Sequence, residues 1–263
     1  MVSALFEYHS VVRNFEKMLA NVNKQAIAKR ETEYYKNNIK NVKTVDDLLN
    51  NSRLYRYVMQ AYGLDDVIYA KGMVRKLLTD ADYAARIKDP KFQKLSENFN
   101  FITFKDKATS FSGATKETVE RYKEMALERQ VGKVNDAARQ GLYFNRRIKE
   151  LMEDKKITKT SWPYVLLADK TLSKMIFKAL GMPDSIQAAN VDAKAQLLVK
   201  HFSFKDLTDD SLREKIVSRA LVHYDMQNGS QNMSAGAAAL KILKGCNTSN
   251  FTSSLINLRY GGR

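Results

Sequence analysis

Cysteine is almost missing from this chain. Cys246 is the only one in 263 residues, so no disulfide can close within it. Proline is nearly as scarce, three residues at positions 90, 163 and 183, which suits long helices. The three histidines, His9, His201 and His223, are dispersed and form no H-x₃-H pair, so a metal site has no ligand cluster to build on. No apolar run approaches the length of a membrane span, which excludes insertion by an apolar helix. The opening "MVSALFEYHSVVRNFEK" places Glu7 inside its apolar part and no small-residue cleavage site follows. A cytoplasmic address is therefore expected, or one reached by a non-cleaved export route.

Motifs for chemistry are missing as well. A phosphate cradle needs a glycine-rich turn that lets backbone N–H groups approach an anion, and neither a Walker run nor G-x-G-x-x-G occurs. No G-x-S-x-G elbow is present, and "SFSG" at 110–113 lacks the strand-turn-helix setting of a nucleophile. Asp80 and Asp82 resemble the start of a calcium loop, but the glycine and the distal glutamate are absent. Neither catalytic residue, nor cofactor, nor metal, nor small-molecule substrate is expected.

What is abundant is positive charge. The formal net charge is +15, supplied by 29 lysines against 15 arginines. Such a balance raises a nucleic-acid-binding regulator as an alternative function. Two features rank it below protein binding. Runs such as "NRRIKELMEDKK" interleave both signs, as a solvated helix face does. The helix-glycine-helix outline around Gly63 would also lead into a DNA groove with Asp65 and Asp66, which phosphates repel.

The hydrophobic content, 44% with 28% charged residues, is that of a globular protein, and β-branched alternation is rare. An all-α fold is expected. Residues 48–64, "LLNNSRLYRYVMQAYGL", are echoed by 166–182, "LLADKTLSKMIFKALGM". In each, Asn51 or Asp169 stands at an N-cap position, Leu54, Val58 and Ala61 or Leu172, Ile176 and Ala179 form one stripe, and Gly63 or Gly181 stands where a helix stops. This predicts two diverged helical units, 30–112 and 148–224, joined by a long helix over 113–147. A helix precedes them over 1–29, and a Gly/Ser/Asn-rich tail follows over 225–263.

Residues 4–38 read as amphipathic helix with a break near Asn23. Leu5, Tyr8, Val11, Val12, Phe15, Met18, Leu19 and Val22 share its apolar face. Thr44 with Asp47 resembles a capping box, Asp80 and Asp89-Pro90 are further helix starts, and Trp162 is a core anchor. "FITFKDKATSFSGAT", 101–115, reads as a loop. The helical pattern from Thr115 to about Lys155 would span roughly 60 Å unbroken, so either Gly132 or Gly141 marks a bend or the helix bridges the two units. In the tail, Phe251, Leu255 and Leu258 fall at i, i+4, i+7, an anchor spacing suited to a groove, either in the same molecule or in a partner. Leu5, Tyr8 and Val12 with Phe251, Leu255 and Leu258 are the candidate partner-binding residues.

"KRETEYY" (29–35), "TVDDLLNNSRLYRYVMQAYGL" (44–64), "YAKGMVRKLL" (69–78), "FQKLSENFNF" (92–101), "VLLADKTLSKMIFKALGM" (165–182) and "SLINLRYGG" (254–262) resemble the domain-of-unknown-function 1217 family. The likeness touches most of the chain, and the first two motifs are its specific ones. The resemblance implies a flagellum-related role, since members are encoded in alphaproteobacterial flagellar gene clusters. It implies no activity and carries over no catalytic residue. The heavy lysine and asparagine load departs from the family and fits an AT-rich base composition. The expectation is a non-enzymatic, flagellum-associated protein that binds other proteins, in assembly, export or a structural role.

Overall fold

The structure is a computed structural model that describes residues 3–87, 89–153 and 157–228. It is all-α, with no strand among the described residues. Two compact units are present, residues 14–130 and residues 1–13 together with 131–263.

In the unit 14–130 the local signals act as physical chemistry requires. Thr44 accepts the Asp47 N–H while the Asp47 carboxylate accepts from the Thr44 N–H, a reciprocal box that opens the Val45–Asn50 helix. Those backbone hydrogen bonds, with one from Lys43, hold the Asp47 carboxyl below the usual range. Asn51 accepts from the Leu54 N–H and starts the Ser52–Ala61 helix. That helix buries Leu54, Val58 and Ala61, the predicted stripe. At its end Gly63 takes φ +63°, and the Leu64 N–H reaches back to Met59 O at 2.9 Å. This closure satisfies carbonyls that a helix end otherwise leaves bare.

The core of this unit is rich in tyrosine. Tyr35, Tyr57 and Tyr122 stack in sequence with centroids 4.3 and 3.9 Å apart. They tie the Ala26–Asn38, Ser52–Ala61 and Thr118–Val134 helices together. Buried hydroxyls need partners: Tyr57 pairs with Thr32 at 3.1 Å, and Tyr62 with Thr118 at 3.0 Å and Asn98 at 2.7 Å.

The unit made of residues 1–13 and 131–263 repeats the local sequence of events in the 166–182 stretch. Asp169 accepts from the Thr171 and Leu172 N–H groups and starts the Lys170–Ala179 helix, which buries Leu172, Ile176 and Ala179. Gly181 takes φ +72° and the Met182 N–H bonds Phe177 O at 3.0 Å. The two quoted stretches therefore share one local conformation. Trp162 is buried at the start of the Trp162–Ala168 helix, with Pro163 beside it. The Ala4–Arg13, Asp136–Glu153, Lys170–Ala179 and Asp210–Asn228 helices pack around Phe144, Ile148, Val217 and Leu221.

Sequence and structure differ at three places. The break expected near Asn23 falls at Gln25, whose extended ψ of 130° no helix continues, and a second, unanticipated break lies at Asn14. The long helical pattern breaks at Asn135, not at Gly132 or Gly141. The Asn135 carbonyl side chain accepts the Ala138 N–H, so it caps the Asp136–Glu153 helix. Gly141 has another purpose: a Cβ built there would lie 2.9 Å from Val217, 3.0 Å from Tyr8 and 3.3 Å from Leu221 side-chain atoms. Residues 101–115 are also not a loop. They form short helical turns, Phe101–Phe104 and Lys105–Ser110, followed by a π-helical turn over Gly113–Glu117.

Candidate protein-docking face

The Ala4–Arg13 helix is held at its N-terminal end and along its inner face. Its first turn carries N–H groups with no intrahelical partner, and the Asp225 carboxylate supplies one: it accepts from Ala4 N at 2.7 Å, Leu5 N at 3.2 Å and Ser3 Oγ at 2.6 Å. Along the inner face Ala4, Tyr8 and Val11 are buried. The Tyr8 hydroxyl donates to Glu214 Oε2 at 2.7 Å and accepts from Asn145 at 3.4 Å. Burial and the adjacent Glu214 carboxylate push the Tyr8 phenol far above its ordinary range, so it stays a donor.

His9 completes this polar seam. Its Nδ1 lies 3.2 Å from Glu214 Oε1 and its Nε2 lies 3.3 Å from Ser218 Oγ. Serine, histidine and glutamate in that order have the outline of a nucleophilic triad, which sequence spacing did not signal because the residues are 209 positions apart. The setting does not match the outline. Ser218 lies inside the Asp210–Asn228 helix, where neighbouring N–H groups point along the helix to its own carbonyls, so none is free to receive an oxyanion. What the arrangement does is tie two helices.

The outer face is different. Phe6 is 69% exposed on this firmly seated helix. Leu5 and Val12 are half-buried at its flanks. Met226 follows the capping Asp225 directly and is 39% exposed. Of the sequence-predicted residues, then, Leu5 and Val12 keep accessible surface, whereas Tyr8 is fully buried in the unit's own core. Phe251, Leu255 and Leu258 lie outside the described residues. Phe6 was missed by sequence reasoning. Its signal is an aromatic two positions off the Ala4, Tyr8, Val11 stripe, on the side that the described residues leave open.

Two further buried or half-buried polar groups of this unit, Lys178 and Asp169, are paired. Lys178 is 3% exposed, yet its ammonium meets Asp184 at 3.2 Å, Gln227, and the Tyr224 ring at 5.0 Å. Asp169, besides its capping role, accepts the Tyr143 hydroxyl at 2.5 Å and lies 3.9 Å from the buried Arg147. Among the described residues no three His, Cys, Asp or Glu side chains gather as a metal site requires, and no helix is long and apolar enough to cross a membrane.

This geometry defines a helical protein whose capped helices pack into two units and leave apolar side chains on a rigid first helix. The chain matches the family model described as Protein of unknown function (DUF1217) over residues 61–212. It belongs to that family. It is also similar to the protein AGR_C_984 from Agrobacterium tumefaciens, known from an X-ray crystal structure: identity is 31%, the TM-score is 0.75, and the match covers 86% of this chain and 94% of that one. No curated protein matches the chain.

Proposed function

We propose that this chain is a non-enzymatic, flagellum-associated protein that acts by binding other proteins, with the outer face of the first helix as one docking face. The observation that carries the reading is Phe6, 69% exposed on a helix clamped by Asp225 and by the Tyr8–Glu214 hydrogen bond. A large aromatic held rigidly outward loses little conformational freedom on binding, which is what an anchor residue requires. The flagellar setting rests on the family resemblance and its gene clusters. The shared conformation of 48–64 and 166–182 supports reading the fold as two diverged helical units. The tail segments carrying Phe251, Leu255 and Leu258 are a second set of anchors by sequence.

The test is co-purification from flagellated and non-flagellated cells with the full chain, the Phe6→Ser variant and a chain lacking 237–263. Flagellar proteins should accompany the full chain from flagellated cells, and both changes should reduce their recovery. Equal recovery with all three chains contradicts the assignment. Recovery of nucleic acid that falls steeply with salt favours the regulator alternative instead.

A further inference from the structure

In the unit 14–130 a cleft of about 350 Å³ opens between the Ala26–Asn38 helix with its continuation Ile39–Asn41 and the segment 110–120. Its floor is apolar and buried: Tyr35, Ile39 and Val119. Its rim carries Lys36 and Lys40, one helical turn apart on one wall, and Lys116 on the other. Among the described residues no carboxylate lies within ion-pairing distance of these three ammonium groups. The one acidic residue in the lining, Glu120, is already paired with Lys123 at 2.8 Å.

The wall holding Lys116 is a π-helical turn, Gly113–Glu117. There the Thr118 N–H is shared between Gly113 O and Thr115 O, bypassing Ala114 O, which accepts the hydroxyl of the fully buried Tyr35. A wide turn of this kind is rare and is frequent at functional sites. Gly113 is required for it, because a Cβ would stand 2.9 Å from Asn98 Oδ1 and 3.0 Å from Asn98 Cα. Lys105, just upstream, is held at φ +46°, a further strained point in the same segment.

We propose that this cleft receives an acidic segment of a partner protein: a carboxylate side chain meets the Lys36, Lys40 and Lys116 ammoniums while a neighbouring apolar side chain covers Tyr35, Ile39 and Val119. The inference rests on the protein-binding reading and adds the chemistry of the partner. Charge and shape choose the occupant. Three unpaired cations select an anion, and two of them a turn apart suit carboxylates spaced along a peptide rather than a single phosphate. The apolar floor gives a peptide side chain something to bury, which a bare anion lacks. The chain's own tail does not qualify: residues 229–263 contain Lys241, Lys244, Arg259 and Arg263 and no acidic residue.

The experiment measures binding of a fluorescein-labelled octapeptide of alternating glutamate and leucine to the full chain by anisotropy. A glutamine-leucine peptide, inorganic phosphate and a single-stranded DNA oligonucleotide serve as comparisons. Three proteins are used besides the wild type. One carries Lys36→Gln, Lys40→Gln and Lys116→Gln. Another removes the same charge elsewhere, at Lys17→Gln, Lys24→Gln and Lys107→Gln, all exposed positions of the same unit. The last is Ser110→Trp, which fills the cleft from an exposed rim position without changing charge. The acidic peptide should bind the wild type and the remote triple variant alike. It should bind the cleft triple variant and Ser110→Trp about tenfold more weakly or worse, the size of one or two charge-assisted contacts. Equal weakening by both triple variants, no binding to the wild type, or lysine-dependent binding of phosphate or DNA but not of the peptide overturns the proposal. If the peptide fails while flagellar proteins still depend on Phe6 for recovery, the cleft assignment falls and the docking reading stands.

Discussion

Asp225 accepts the backbone N–H of Ala4 at 2.7 Å, across 221 positions of sequence, so the last described helix supplies the cap of the first. The first helix has no capping side chain of equal reach within itself, since Ser3 accepts only from Phe6 N at 3.3 Å. Asp225→Ala should lower stability by about 1–2 kcal/mol, the range for a lost helix cap. Asp225→Asn, which keeps an acceptor, should lose less. Urea unfolding followed by circular dichroism measures both, and equal midpoints for all three proteins would show that the cap contributes nothing.

Gly63 and Gly181 stand at positive φ, and any L side chain there is strained. Gly63→Ala and Gly181→Ala should each cost about 1–2 kcal/mol. The first should cost slightly more. Its added Cβ would meet Met125 Cε at 3.1 Å, whereas the nearest neighbour at 181 is His223 Nε2 at 3.5 Å. Thermal melting of the single variants checks size and order together.

Gly141 makes the opposite point about glycine. It lies within a helix, where alanine is intrinsically better by about 1 kcal/mol. The Val217, Tyr8 and Leu221 side chains at 2.9–3.3 Å leave no room for the methyl group. Gly141→Ala should therefore destabilise by about 1–3 kcal/mol, with overpacking winning over propensity. A stabilised variant would mean that the first helix seats loosely here.

Much of this architecture is legible in the sequence because its causes are local. The caps at Thr44, Asn51, Asp80, Asp89 and Asp169 need only a short side chain and the next turn, and all five accept the N–H groups their positions predict. The glycine stops at 63 and 181 are likewise local. What sequence spacing could not show is partnership over distance. Asn135 breaks the long helix because its own side chain wins the Ala138 N–H, while Gly132 and Gly141, the more obvious breakers, remain helical. Tyr8 reads as a partner-binding residue in the sequence because it lies on an apolar stripe. That stripe faces Glu214 and Asn145, residues nothing in the pattern links to it. Periodicity finds residues that pack inward, and Phe6, 69% exposed, is not one of them.

Stability should fall at both ends of the pH scale. Burial pushes the Tyr62 phenol up to about 12, against lowering by its hydrogen bonds to Thr118 and Asn98. The unfolded chain releases that proton near 10, so the folded-state advantage is complete below pH 10 and is lost as pH rises toward 12. His223 is shifted the other way, by burial first and then by Arg219 and Lys178. Its contribution is complete above 6.5 and is lost as pH falls below that value, because the unfolded chain takes up the proton first. Denaturation midpoints measured across the range should show His223→Gln flattening the acid limb and Tyr62→Phe flattening the alkaline one. Unchanged limbs would contradict the burial assigned to these side chains.

Docking of a protein on the outer face of the first helix, as proposed, would place that protein against position 6. Site-specific photo-crosslinking captures it, with Phe6→p-benzoylphenylalanine in the full chain and the same substitution at Ile27, an exposed apolar position in the other unit, as comparison. Position 6 should yield an adduct with a flagellar protein in flagellated cells and none in non-flagellated ones. No protein adduct from position 6, or the same adducts from both positions, would contradict it.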